Sequence, residues 1–531
     1  MMQPPSFQFK YLLIALLLIW QGSPALANNI QVTNASLTNN NGTFAFIQFD
    51  LSWENSWRGG GLSNWDAAWV FVKYRDVSNV WHHVNLAPNG HVIPAGSGAA
   101  LSTAPVNVNA PYDPVTNPNV GVFIHRAIPG SGIFSLTGVQ LKWNYAAEGI
   151  AYADVDDIGV FGIEMVYVPG GPFMVGQNST SARFQPTYIN TADASVVPTG
   201  NGGPLNSPQG GHAIGEDQPP SDRPNGYRGF YCMKYELSQQ TYADYLNTLT
   251  LSEQVLRTKP YLAPPSTPVP YMPTGTPVVS ATARNGLVVA VPTTGFGPAQ
   301  FGCDLNGNDV VGEPDDGGDI PMNWVNGEDY MAFLDWSGLR PLSDMEFEKV
   351  CRGPNLPVNE EYAWGNVSIM TTPYLLTGTG TATEGIGLGY QTTLGNANHA
   401  GTSAAFEGPV RSGCFAANPA NNGRMTAGVS YYGAMEMSGN LGELLGKVHV
   451  SSGVLSYLYS YSVHGNGALN ASAEADAFNV ESGSVLSGIA SGGGHFGSYS
   501  SQLQVSVQGV GTSGSNNRYD WAGIRGARSA P

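Results

Sequence analysis

Between residues 304 and 315 the chain reads Asp-Leu-Asn-Gly-Asn-Asp-Val-Val-Gly-Glu-Pro-Asp. Asp304, Asn306, Asn308 and Asp315 stand at the first, third, fifth and twelfth places, the spacing with which an EF-hand-type loop wraps Ca²⁺. A hard cation needs several oxygen ligands converging from a short stretch of backbone, and this stretch supplies them. The sixth place is Asp309 instead of Gly, the twelfth is the shorter Asp, and no helical pattern flanks the loop. The alternative is an acidic turn whose side chains bond to their own backbone. Four cysteines, Cys232, Cys303, Cys351 and Cys414, lack CxxC neighbours. They read as structural bridges, for which three pairings exist, or as buried thiols. His82 and His83 are adjacent in a strand-like stretch, so they point to opposite faces and cannot share a metal. Neither a G-x-S-x-G elbow, an H-E-x-x-H pair nor a P-loop occurs.

Lys10, the apolar run Tyr11 to Trp20 and the small-x-small site Ala25-Leu26-Ala27 read as a secretory leader over residues 1–27. The protein is therefore expected outside the cytoplasm: secreted, extracellular or on the cell surface, with the periplasm as a further destination. No apolar run approaches the roughly 20 residues of a transmembrane helix, so no transmembrane segment is expected. Across 531 residues, 42% are apolar and 11% charged, a composition that folds. The net charge of −17, with no cluster of Lys or Arg, excludes nucleic acid as a partner.

The elements that must position these groups fall into two registers. Residues 28–160 alternate apolar and polar over short stretches such as 44–51 and 68–74, which predicts an all-β sandwich. From residue 161 the pattern is α+β. Strand-like Met165 to Met174 turns at Pro169-Gly170-Gly171, and a loop is expected over 177–226. Ser238 starts one helix, Asn326 with Asp329 a second, and Ser343 with Glu346 in a capping box a third.

The carriers of a family likeness are Val168-Pro169-Gly170-Gly171-Pro172-Phe173-Met174, Phe230 to Ser238, Trp336 to Lys349, Arg352-Gly353, and Tyr362-Ala363-Trp364-Gly365-Asn366. Tyr432 to Glu443 and Gly523-Ile524-Arg525-Gly526-Ala527-Arg528 complete the set. In that order, residues 161–531 resemble the formylglycine-generating-enzyme (sulfatase-modifying factor) family. The resemblance implies a loop-rich, C-type-lectin-like fold.

Members of that family oxidise a sulfatase cysteine to formylglycine with copper held by two cysteines. Cu(I) prefers soft thiolate ligands, and only a thiolate exchanges with the substrate thiol. Matching the segment that precedes those cysteines to Gly492-Gly493-Gly494 places Gly497 and Gln502 at their positions, and no cysteine follows Cys414. Copper is thus not expected. The resemblance further implies structural calcium on Glu436, the carbonyls of Gly439 and Leu441, and Glu443. A second family site would map onto Asn398 and the carbonyl of His399, with Ala404 where its aspartate belongs. The expected function is a non-catalytic binding or adhesion module for a protein or glycan. Tyr457, Tyr459, Tyr461, His495, Phe496 and Tyr499 are candidate contact aromatics. The competing expectation is a copper-dependent formylglycine-generating oxidase with a non-standard site.

Overall fold

The computed structural model describes residues 29–531 apart from 62–63, 180, 195–220, 259–276, 279–281, 293–296, 447–448, 452–453, 457–459, 471, 478–488 and 511–516. The expected leader, and Tyr457 and Tyr459, lie outside the described residues.

Eight strands open the chain: β1 (Gln31–Thr38), β2 (Ala45–Arg58), β3 (Asp66–Asp76), β4 (Trp81–His83), β5 (Ala99–Pro105), β6 (Asn119–Arg126), β7 (Gly130–Trp143) and β8 (Val155–Val168). In β2 the apolar side chains recur every second residue. The strand therefore buries Ala45, Ile47, Phe49, Leu51 and Trp53 on one face. β1, β2 and β7 form an antiparallel sheet. Its buried face shares an apolar cluster with Ala68, Val70 and Val72 of β3 and with Val122 and Ile124 of β6.

β3 has no solvent face from Asp66 to Tyr74. Its other side, Ala67, Trp69 and Phe71, belongs to a second cluster with Tyr242, Phe333 and Trp336 from the C-terminal helices. A strand buried on both sides reads as a continuous apolar run, as 67–72 does. Residues 160 and 161 both lie within β8, which pairs with β3 from Asp66↔Val166 to Asp76↔Val155. β8 pairs in turn with β11 (Phe230–Met233), and β11 with the strand Gly526–Ser529. N-terminal and C-terminal residues therefore build one sheet. Polar contacts cross the same seam: Trp69 Nε1 donates to Ser337 O at 2.8 Å, and Lys234 Nζ lies 3.2 Å from Asp66 and 2.8 Å from Glu164.

After β8 come β9 (Phe173–Val175) and β10 (Thr187–Ile189), which pair with each other. The stretch expected to be a loop over 177–226 thus contains a short strand. Four helices occur among the described residues. α1 (Gln239–Asn247), α3 (Gly327–Trp336) and α4 (Asp344–Arg352) start where the sequence predicts. Ser238 Oγ accepts from Thr241 N at 3.2 Å, Asn326 Oδ1 from Asp329 N at 2.9 Å and Ser343 Oγ from Glu346 N at 3.0 Å. α2 (Leu251–Arg257) was not foreseen, although Thr250 with Glu253 supplies its start. Inside this β-rich domain, Arg340–Glu346 at 2.7 Å and Arg352–Glu348 at 2.8 Å are fully buried ion pairs that fix α4. No described helix is long and apolar enough to cross a membrane.

Candidate functional site

The strand Gly442–Gly446 pairs antiparallel with Ile489–Gly492 and parallel with Ala522–Gly523. Past Gly492 the backbone turns through Gly493 and Gly494 at φ of 74° and 62°. A Cβ on Gly493 would sit 2.7 Å from Glu443 Oε2 and 2.8 Å from Met437 O, so glycine is needed for space as well as for φ. The turn is then locked by His495 N donating to Ser498 Oγ at 3.0 Å and Gly497 N donating to His495 Nδ1 at 3.1 Å. Since Nδ1 accepts, a neutral His495 carries its proton on Nε2. Burial lowers the pKa of His495, with Asp520 opposing, which favours that neutral form.

These residues wall a cavity of about 450 Å³ that includes Ser491, His495, Ser498, Ser501, Gln502 and Trp521. Of the two positions expected to replace the family's thiols, Gln502 lines the cavity, its Oε1 accepting from Tyr499 N at 3.0 Å. Gly497 sits exposed on the adjoining turn. No cysteine is in the lining. All four cysteines are free, buried thiols, so none of the three bridge pairings forms. Burial pushes the Cys232 thiol up to about 12 and raises those of Cys303, Cys351 and Cys414 as well. They stay protonated and unreactive. Among the candidate aromatics, Tyr461 and Phe496 are buried, whereas Tyr499 is 77% exposed.

Behind the turn lies a carboxylate cluster. Glu436 and Glu443 are both buried, and buried Glu236, which no spacing in the sequence announced, lies close enough to be repelled by both. Glu236 accepts from Leu441 N at 2.8 Å and from Asn440 Nδ2 at 2.6 Å. Arg525 reaches Glu443 Oε1 at 3.1 Å through Nη2, and Nη1 and Nη2 also donate to the carbonyls of Met233 and Met435. Burial drives the Glu436 pKa up to about 7. Burial also raises Glu443 and, with repulsion from Glu443, Glu236. Glu436 Oε1 accepts from Gly413 N at 2.7 Å, but Glu436 Oε2 and Glu443 Oε2 are buried with no hydrogen-bond partner. Buried carboxylate oxygens without a donor are the kind of ligand a hard divalent cation takes, so the residue types fit calcium. At the second mapped position Asn398 Nδ2 donates to Gly408 O and Asn440 Oδ1, its Oδ1 is likewise buried without a hydrogen-bond partner, and the His399 carbonyl accepts from Thr402 N and Ser403 N.

The residues of the EF-hand-like spacing are held within their own loop. Both oxygens of Asp304 cap the loop's own amides, from Gly307, Asn308 and Asp309. Asp315 instead gathers with Glu313 and Asp316, neither of which the spacing selected.

With this geometry in place, comparison with known families gives the identity of the larger domain. Residues 161–530 match the family described as the Sulfatase-modifying factor enzyme 1-like domain. The chain belongs to that family. No curated protein matches it.

Proposed function

We propose that this chain is an exported, sulfatase-modifying-factor-like binding module whose cleft receives a protein loop or a glycan and performs no thiol-based oxidation. One observation carries the reading: hydroxyl and amide groups of Ser491, Ser498, Ser501 and Gln502 line the cleft beside the rings of His495 and Trp521, and every cysteine is elsewhere. Cu(I) finds no soft ligand among such groups, and a substrate thiol finds nothing to exchange with. Hydroxyls, amides and an indole face do match sugar hydroxyls or peptide amides.

The same reading takes residues 1–27 as the export leader, residues 28–160 as a β-sandwich layer and residues 161–531 as a C-type-lectin-like fold. It takes Glu436, Glu443 and the carbonyls of Gly439 and Leu441 as holding calcium, whose role is structural. The unpartnered oxygens of the two glutamates support that assignment.

The test is to incubate the mature protein with copper, oxygen and a sulfatase-derived cysteine peptide, and in parallel to screen glycan and peptide arrays. The expected result is no formylglycine, together with saturable binding that Trp521→Ala weakens at least tenfold. Turnover abolished by chelation would sink the reading and favour copper-dependent oxidation at a non-standard site.

A further inference from the structure

Asp304, Asp309, Glu313, Asp315, Asp316 and Asp319 lie in one loop, and no Lys or Arg occurs from residue 285 to residue 339. One carboxylate oxygen from each of Glu313, Asp315 and Asp316 lies within 4.8 Å of the other two. Charge crowding of this kind is common on surfaces and by itself implies nothing. Asp316 changes the case, because it is only 2% exposed. Its Oδ2 accepts from Glu313 N at 2.7 Å, while its Oδ1 is buried with no hydrogen-bond partner. An anionic oxygen removed from water and left unpaired is costly, and two neighbouring carboxylates increase the cost. The asparagines of the loop do not remove it. Asn306 Nδ2 donates to Asp315 Oδ1 at 3.1 Å and Asn308 Nδ2 to Glu313 Oε2 at 2.5 Å, and neither serves Asp316.

We propose that Glu313, Asp315 and Asp316 bind a hard divalent cation of the calcium class. An all-oxygen, trianionic set suits Ca²⁺ and gives softer ions no thiolate or imidazole. The site shares only Asp315 with the set that the EF-hand spacing selects. Asp304 instead shapes the loop through its amide caps. The loop is tied to the fold at both ends, by Asp304 N to Gly286 O at 2.8 Å and by Gly317 N to Gly380 O at 2.9 Å, so the bound ion would clamp a spoke between those two segments. Neither the cleft reading nor calcium at Glu436 and Glu443 is needed for this site.

Calorimetric titration of the full mature chain with Ca²⁺ after chelation, in wild type, Glu313→Gln/Asp315→Asn and Glu443→Gln, tests it. The expected result is that the double variant loses, or binds more than tenfold more weakly, one Ca²⁺ equivalent of the wild-type uptake, and that Glu443→Gln retains this equivalent. No uptake by wild type, or uptake unchanged in the double variant, overturns it. Both substituted loop residues reach solvent, so folding should survive. Should the double variant misfold, wild type answers alone: Ca²⁺ must slow proteolytic cleavage within residues 304–316, and unchanged cleavage overturns the site.

Discussion

Two groups of three carboxylates sit in the same domain and meet like-charge repulsion in opposite ways. Glu236, Glu436 and Glu443 are wholly buried around Arg525 and have pKa values pushed upward, so part of their repulsion is relieved by protonation. Glu313, Asp315 and Asp316 have no ion-pair partner among the described residues, and two of the three reach water. The contrast teaches that burial sets the remedy. An interior cluster needs an internal cation or protons, whereas a loop cluster can draw on solvent for all but its innermost oxygen.

The largest effect that would break this contrast is removal of the interior cation. Arg525→Met should cost about 3–5 kcal/mol in urea unfolding, because it strands buried charge. A loss under about 1 kcal/mol would mean that the three glutamates do not depend on it. Next is pH. With calcium chelated, stability should fall as pH rises from 4.5, the ordinary value for Glu436, through about 7. The native state keeps its protons to higher pH than the unfolded chain, so unfolding releases protons in that window. The slope is about 1.4 kcal/mol per pH unit for each such group, read from denaturation curves at several pH values. A bound cation at Glu436 and Glu443 should flatten it. Third, Ca²⁺ at about a hundredfold over its dissociation constant should stabilise wild type by about 2.7 kcal/mol, visible as a raised Tm. Smallest, Glu313→Gln without calcium should change stability by no more than about 0.5 kcal/mol, because its side chain reaches solvent.

Local rules were readable without coordinates. Ser238, Asn326 and Ser343 each cap the helix expected of them, since a cap and its third residue are close in sequence. The same rule applied to Thr250 and Glu253 would have found α2. The α+β register from residue 161 and the likeness carried by Trp336 to Lys349 led to the family, which the match over 161–530 bears out. Long-range pairing was not readable. The change of register near residue 161 falls in the middle of β8, and nothing local says that one strand will join partners from both sides of that point. Glu236 escaped for the same reason. It follows Lys234 and Tyr235 at the end of a strand, and only the tertiary fold brings it to Asn440 and Leu441. In the acidic loop the spacing located Asp315 but did not select Glu313 and Asp316, which gather with it, and Asp304 accepts from amides three to five residues on.

β3 serves as a party wall, with Val70 facing one room and Trp69 the other. Neither neighbour can be redecorated alone: an insertion that slid this strand by a single residue would turn every tenant to the wrong side at once. A fragment beginning at residue 161 would likewise lose the strand whose Phe71 packs against Trp336, leaving an open, sticky flank. Engineers wishing to move this family domain should carry the preceding strands with it.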